Sequence, residues 1–167
     1  MTALTSRQAL AWCPWKPELL ATGSIYPEGM IRIWNATSSI SPPSPIHTIA
    51  LNTSVTSLHW SPHCKELLST HGSTWSLSST PVIPMGCLTN VTSPLANSVT
   101  VHAYPSYKRL LSVQAHHGVV SHSCLSPDGT SVFTVSAGDE SMKMWKIWGK
   151  REDLEKRESV FDRYAIR

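Results

Sequence analysis

Charge is scarce over most of this chain. Residues 1–149 carry only fourteen Asp, Glu, Lys or Arg side chains whereas residues 150–167 carry eleven, so a neutral body precedes a solvated, charged tail. The body's basic residues stand singly or as the pair Lys108-Arg109, without the basic stripe that a nucleic-acid surface requires. Cysteine is sparse and dispersed: Cys13, Cys64, Cys87 and Cys124 form no C-x-x-C pair. That spacing argues against a zinc ribbon or a dithiol redox site and suits buried thiols in a reducing compartment. His59, His63 and Cys64, and likewise His116, His117 and His122, superficially resemble metal clusters. A strand and a Pro turn separate members of the first set, so they need not converge, and neither a metal nor a cofactor is expected. No apolar run is long enough to span a bilayer, and the start MTALTSRQALAW lacks the basic and apolar regions of a secretion signal. A soluble, unsecreted protein without membrane partners is expected. On that reading the sequons at Asn35, Asn52 and Asn90 are chance matches. There is no G-x-S-x-G elbow, phosphate loop or dinucleotide fingerprint, so no catalytic residue is assigned and the chain reads as a non-enzyme.

What the chain has is internal repetition. ALAWCP…ELLATGS…MIRIWN returns as SLHWSP…ELLSTHG…SVTVHAY, and again as HSCLSP…SVFTVSAGDES…MKMWKIW. Each unit holds an apolar run ending in a Pro turn, a β-rich run ending in small residues, and an alternating strand centred on an aromatic. Pro45–Leu51 and Lys108–Gln114 are candidates for a fourth strand. The markers Pro14, Pro62 and Pro127 are 48 and 65 residues apart. A period of about 40–50 residues matches WD40-type propeller blades. The longer second spacing requires an insertion, placed at 73–97, where the sequence has neither strand nor helix period and reads as disordered. A retained intron would supply such a segment. The expected architecture is all-β: a partial WD40 propeller over 1–149 with blades near 8–51, 55–116 and 117–149, then a charged tail over 150–167.

In WD40-like blades an Asp six residues before the strand Trp joins a His and a hydroxyl in a buried network. Asp139 stands six before Trp145 with His116 upstream, so these three are expected to form a structural network in the third unit. In the first unit Glu28 precedes Trp34 by the same interval. The second has Ala96 and His102 there, so it is expected to lack the network and to be the least rigid.

The stretches ALAWCPWKPELLATG, IRIWN, VTSLHWSPHCKELLSTHG and LSPDGTSVFTVSAGDESMKMWKIWG, together with the terminal Ile166-Arg167, resemble the fizzy-type (cell division cycle 20/Cdh1-like) WD40 activators of the anaphase-promoting complex, a cell-cycle ubiquitin ligase. Members of that family have a seven-bladed propeller behind a basic region with a C box. This chain resembles about the last three blades and the tail, so it reads as a fragment or as part of an assembly. The resemblance implies a non-catalytic substrate adaptor in nucleus and cytoplasm, recruiting degron-bearing proteins such as cyclins and securin. Glu140, beside Asp139, takes the position that receives the Arg of a destruction box. Ile166 and Arg167 match the tail that docks on tetratricopeptide scaffold subunits of the ligase. Tyr26, Ser54 and Val119 stand where the family binds KEN degrons, and Val119 replaces an Arg, which removes a charged donor. A general WD40 interaction scaffold and a non-functional fragment remain as alternatives.

Overall fold

The computed structural model describes residues 7–25, 27–39, 42–77, 88–90 and 93–149. Among them are twelve strands and three antiparallel sheets. The first sheet contains β1 (Arg7–Trp12), β2 (Leu19–Ser24), β3 (Met30–Asn35) and β4 (His47–Ala50), in that order. The second contains β5 (Thr53–Trp60), β6 (Glu66–Leu77), β8 (Ser98–Ala103) and β9 (Arg109–Gln114), with β7 (Leu88–Asn90) on β6. The third contains β10 (His122–Leu125), β11 (Ser131–Ser136) and β12 (Ser141–Lys146). The candidate fourth strands are β4 and β9.

Alternation explains the sheets. In β3, Ile31 and Ile33 are buried while Arg32 and Trp34 face the other way, the two-residue period of a pleated strand. Turn chemistry sets the hairpins. Gly129 has φ +68° and closes the turn from β10 to β11, where a Cβ would also lie 2.3 Å from Pro62 Cγ of the second sheet. Asp128 stitches that turn by accepting from the Ser126 hydroxyl at 2.5 Å and from the Thr130 hydroxyl at 2.8 Å.

The sheets stack side by side. One core, with Ala9, Ala21, Ile31, Ile33, Leu58 and Trp60, joins the first sheet to the second. Another, with Leu68, Val99, Val101, Val120, Val132 and Trp148, joins the second to the third. Polar ties cross both joints: Trp15 Nε1 donates to the Ser61 carbonyl at 3.0 Å, and Trp148 Nε1 to Glu66 Oε2 at 2.7 Å.

One expectation needs correction. Residues 73–97 are not uniformly without strands, because β6 runs on through Leu77 and pairs there with β7: Trp75 lies opposite Asn90 and Leu77 opposite Leu88. The local pattern hid this pairing because its backbone hydrogen bonds need no apolar alternation. Residues 94–97 form a turn that leads into β8, and 78–87 and 91–92 lie outside the described residues. So does the tail over 150–167, including Ile166 and Arg167.

Candidate functional site

The third sheet contains a continuous polar chain. His116, 1% exposed, places Nδ1 3.0 Å from Asp139 Oδ2 and 3.1 Å from Ser141 Oγ. Its Nε2 lies 2.9 Å from Thr134 Oγ1, which also accepts from Trp145 Nε1 at 2.9 Å. The carboxylate can only accept, so Nδ1 carries the proton; in the neutral ring Nε2 then accepts from the Thr134 hydroxyl, and the Trp145 N–H donates to that oxygen. Every link has one donor and one acceptor. The His117 amide adds a 3.2 Å bond to Asp139 Oδ2. Ser136 beside it, then His116 and the His117 amide, hold the Asp139 carboxyl well below the usual carboxylate range, although Ser136 Oγ and Asp139 Oδ1 themselves fall short of hydrogen-bond geometry. Lys143 donates to the Ala115 carbonyl at 2.7 Å and fastens the backbone before His116.

The first sheet keeps half of this arrangement. Trp34 Nε1 donates to Thr22 Oγ1 at 2.9 Å, while Glu28 pairs with Arg32. In the second sheet no Asp–His–Trp chain forms among the described residues. His102 replaces the Trp, and hydroxyl pairs take over: Thr56 with Thr70 at 2.8 Å, and Ser69 with His71 Nε2 at 2.9 Å. His71 Nδ1 and His102 Nδ1 are buried without a hydrogen-bond partner. Burial, with the neighbouring His102 and Arg109 adding to it, pushes His71 down to about 3; burial, then Arg109, pushes His102 down to about 4.

Around the network lies one rim of loops. Glu140 is exposed in the turn from β11 to β12 with φ +46°, next to the pinned Asp139. Gly138 in that turn crosses Gly118 so closely that a Cβ on Gly118 would sit 3.0 Å from Gly138 Cα. Beyond Gly118, Val119 reaches Gly72, where a Cβ would lie 3.0 Å from Val119 Cγ1 and 3.4 Å from Ser54 Cβ. The structure therefore brings Ser54 and Val119 together and ties them through Gly118 to the Glu140 turn. Tyr26 lies outside the described residues. The meeting at Gly72 and the roles of Thr134, Ser141 and Lys143 were not singled out from sequence. Ser141 had a local signal, standing two residues after Asp139 and four before Trp145, whereas Thr134 reaches the network through the pairing of β11 with β12, and the Gly72 meeting had no signal, since the packing of one sheet on another creates it.

The first strands of the three sheets also line an open trough of about 420 Å³, with Trp12, His59, Trp60 and Leu125 on its walls. Among the described residues, no group of three His, Cys, Asp or Glu could hold a metal ion, and no helix is long and apolar enough to cross a membrane.

The family model "WD domain, G-beta repeat" matches residues 107–146, which include the whole His116–Asp139–Trp145 chain. The chain is 35% identical over 147 residues to WD repeat-containing protein slp1 of Schizosaccharomyces pombe, covering 84% of this chain and 24% of that protein. It is 31% identical to the anaphase-promoting complex subunit cdc20 of Dictyostelium discoideum, over 88% of this chain and 24% of the relative. Cell division cycle 20.5, cofactor of APC complex, of Arabidopsis thaliana is 32% identical over 86% of this chain and 26% of its own length. A chain in the crystal structure of the mitotic checkpoint complex superposes with a TM-score of 0.65 at 34% identity, covering 86% of this chain and 36% of that one. The chain thus spans about a quarter of the length of the curated relatives it matches. With three WD40-type sheets in sequence, one complete His–Asp–Trp network and these likenesses, it is a partial WD40 propeller and belongs to the fizzy-type, Cdc20-like family.

Proposed function

We propose that this chain is a non-catalytic substrate adaptor for the anaphase-promoting complex, acting in nucleus and cytoplasm. The observation that carries the reading is Glu140: an exposed carboxylate on a left-handed turn, held in place by the His116–Asp139 network beneath it. A carboxylate so placed can pair with an Arg fork, the chemistry a destruction-box Arg would use. The naming of several relatives as anaphase-promoting complex subunits or cofactors supports the choice of ligase. Ile166 and Arg167 are assigned to docking on tetratricopeptide scaffold subunits, one aliphatic plug beside a guanidinium and a terminal carboxylate. Ser54 and Val119, which meet at the rim, are both uncharged, so the reading assigns Arg-centred degrons of cyclin and securin type rather than KEN-type ones.

Two binding experiments test it. A labelled destruction-box peptide should bind the chain, lose about tenfold or more on Glu140→Lys and lose binding when its own Arg is Ala, because like charges then face each other or the pair is gone. Pull-down of ligase scaffold subunits should fail when Ile166 and Arg167 are removed. Peptide binding that ignores Glu140→Lys, together with pull-down that ignores the deletion, would leave a general WD40 scaffold as the better description.

A further inference from the structure

Three connections meet at one end of the joint between the first two sheets: 13–18 between β1 and β2, 61–65 between β5 and β6, and 104–108 between β8 and β9. Both sheets of this joint are in the chain, so its own packing sets the arrangement. The turn from β10 to β11 shares this end, with His63 Nε2 2.7 Å from the Asp128 carbonyl, and β11 runs from there to the Glu140 turn at the opposite end. Four rings gather in the joint. Trp15 meets Tyr104 at 4.9 Å and Trp60 at 5.6 Å between centroids, and Tyr107 meets Tyr104 at 5.7 Å. The indole N–H groups are committed to backbone, Trp15 to the Ser61 carbonyl and Trp60 to the Ala11 carbonyl at 3.2 Å, so the rings are fixed before anything binds. Trp15 and Tyr104 are half-buried and offer the remaining surface. Cations surround them. Lys16 Nζ donates to the Tyr104 hydroxyl at 3.4 Å, the Lys65 carbonyl accepts from the Tyr104 amide at 2.8 Å, and the Lys108 carbonyl accepts from the Ala103 amide at 2.9 Å. The acids nearby are occupied: Glu18 lies 3.7 Å from Lys16, and Glu66 accepts from Trp148. Lys65 and Lys108 are exposed and stand in no ion pair among the described residues.

The 104–108 connection is costly to hold. Tyr107 has φ +53°, which a bulky side chain rarely adopts, and its hydroxyl is buried without a hydrogen-bond partner. Neither feature is needed to join two antiparallel neighbours, for which a two-residue turn suffices. What the connection gains is position, with Tyr104 against Trp15 and Lys108 at the same end as Lys16 and Lys65. We propose that this end of the joint binds an acidic peptide segment of a partner protein, its carboxylates facing Lys16, Lys65 and Lys108 and an apolar side chain resting on Trp15 and Tyr104. Charge complementarity selects the occupant, because the lysines outnumber the paired Glu18 around fixed aromatic anchors. A single-stranded nucleic acid fits less well. The rings close on one another at 4.9–6.3 Å, leaving no gap for a base between them, and the cations occupy one end of one joint rather than a track along a backbone. The inference is separate from the reading of Glu140.

The test is a titration of the full chain into a dye-labelled Glu-rich peptide carrying one Phe, read by anisotropy. Saturable binding is expected, weakening as salt rises. Lys65→Glu combined with Lys108→Glu should lose about tenfold or more with an unchanged far-ultraviolet spectrum, and the same peptide with Gln for Glu should lose as much. Glu140→Lys should leave this binding within about twofold, and the lysine variant should likewise leave destruction-box peptide binding unchanged, so failure here and failure of the Glu140 reading are told apart. No saturable binding, an affinity indifferent to the lysine reversal, a loss on Glu140→Lys, or tighter binding of a single-stranded RNA of equal length overturns the proposal.

Discussion

Thr134 is the residue on which the polar chain of the third sheet turns. It is fully buried and serves both His116 Nε2 and Trp145 Nε1. Thr134→Val keeps the shape but leaves a buried acceptor and a buried donor without partners, at a cost of about 3 kcal/mol. Thr134→Ser retains the hydroxyl and should cost about 1 kcal/mol or less. Urea denaturation of the two variants checks the difference; equal losses would mean that the methyl, not the hydroxyl, matters. His116, Asp139 and Trp145 were legible in the sequence because each sits at a fixed interval within one repeat. Glu140's pairing ability was legible only by resemblance, since an exposed acid on a turn has no pattern of its own.

Between elements, close fit decides the outcome. Gly23 on β2 leaves room for Val55 on β5: a Cβ at Gly23 would lie 2.4 Å from Val55 Cγ1. Gly23→Ala should therefore destabilise by about 1–3 kcal/mol, and adding Val55→Ala should recover part of the loss, as a double-mutant cycle would read. The second sheet, expected from sequence to be the least rigid, instead has its central strands packed on both sides, with Leu67, Leu68, Ser69, Thr70 and His71 all buried. Its weakness is acid. His71 and His102 titrate near 3 and 4 in the folded chain, below the ordinary 6.5 of an unfolded one, so the unfolded chain takes up protons first. Stability is full above about pH 6.5 and falls as pH descends toward 4, by about 2 kcal/mol per histidine at pH 5. Replacing both with Gln should flatten that slope in melting curves; an unchanged slope would place the acid sensitivity elsewhere.

At the scale of the molecule, the second sheet belongs to both cores, so neither outer sheet can leave without exposing apolar surface on it. Unfolding should be a single transition, with coincident midpoints by circular dichroism and by Trp fluorescence. Separate midpoints would identify sheets that fold as independent units. The repeat order, the Pro turns and the fourth strands of the first two sheets were legible because each is a local pattern recurring at a regular period. The pairing of β6 with β7 and the meeting of Ser54, Gly72 and Val119 were not, because they depend on how distant stretches of chain lie against each other.

The hollow at Gly23 has a wider consequence. Register places Thr70 at its counterpart in the second sheet and Val135 in the third, where no such hollow can exist. The units thus differ where the first joint closes: a second sheet put in place of the first would bring the Cβ of Thr70 to the position that Gly23 keeps open for Val55.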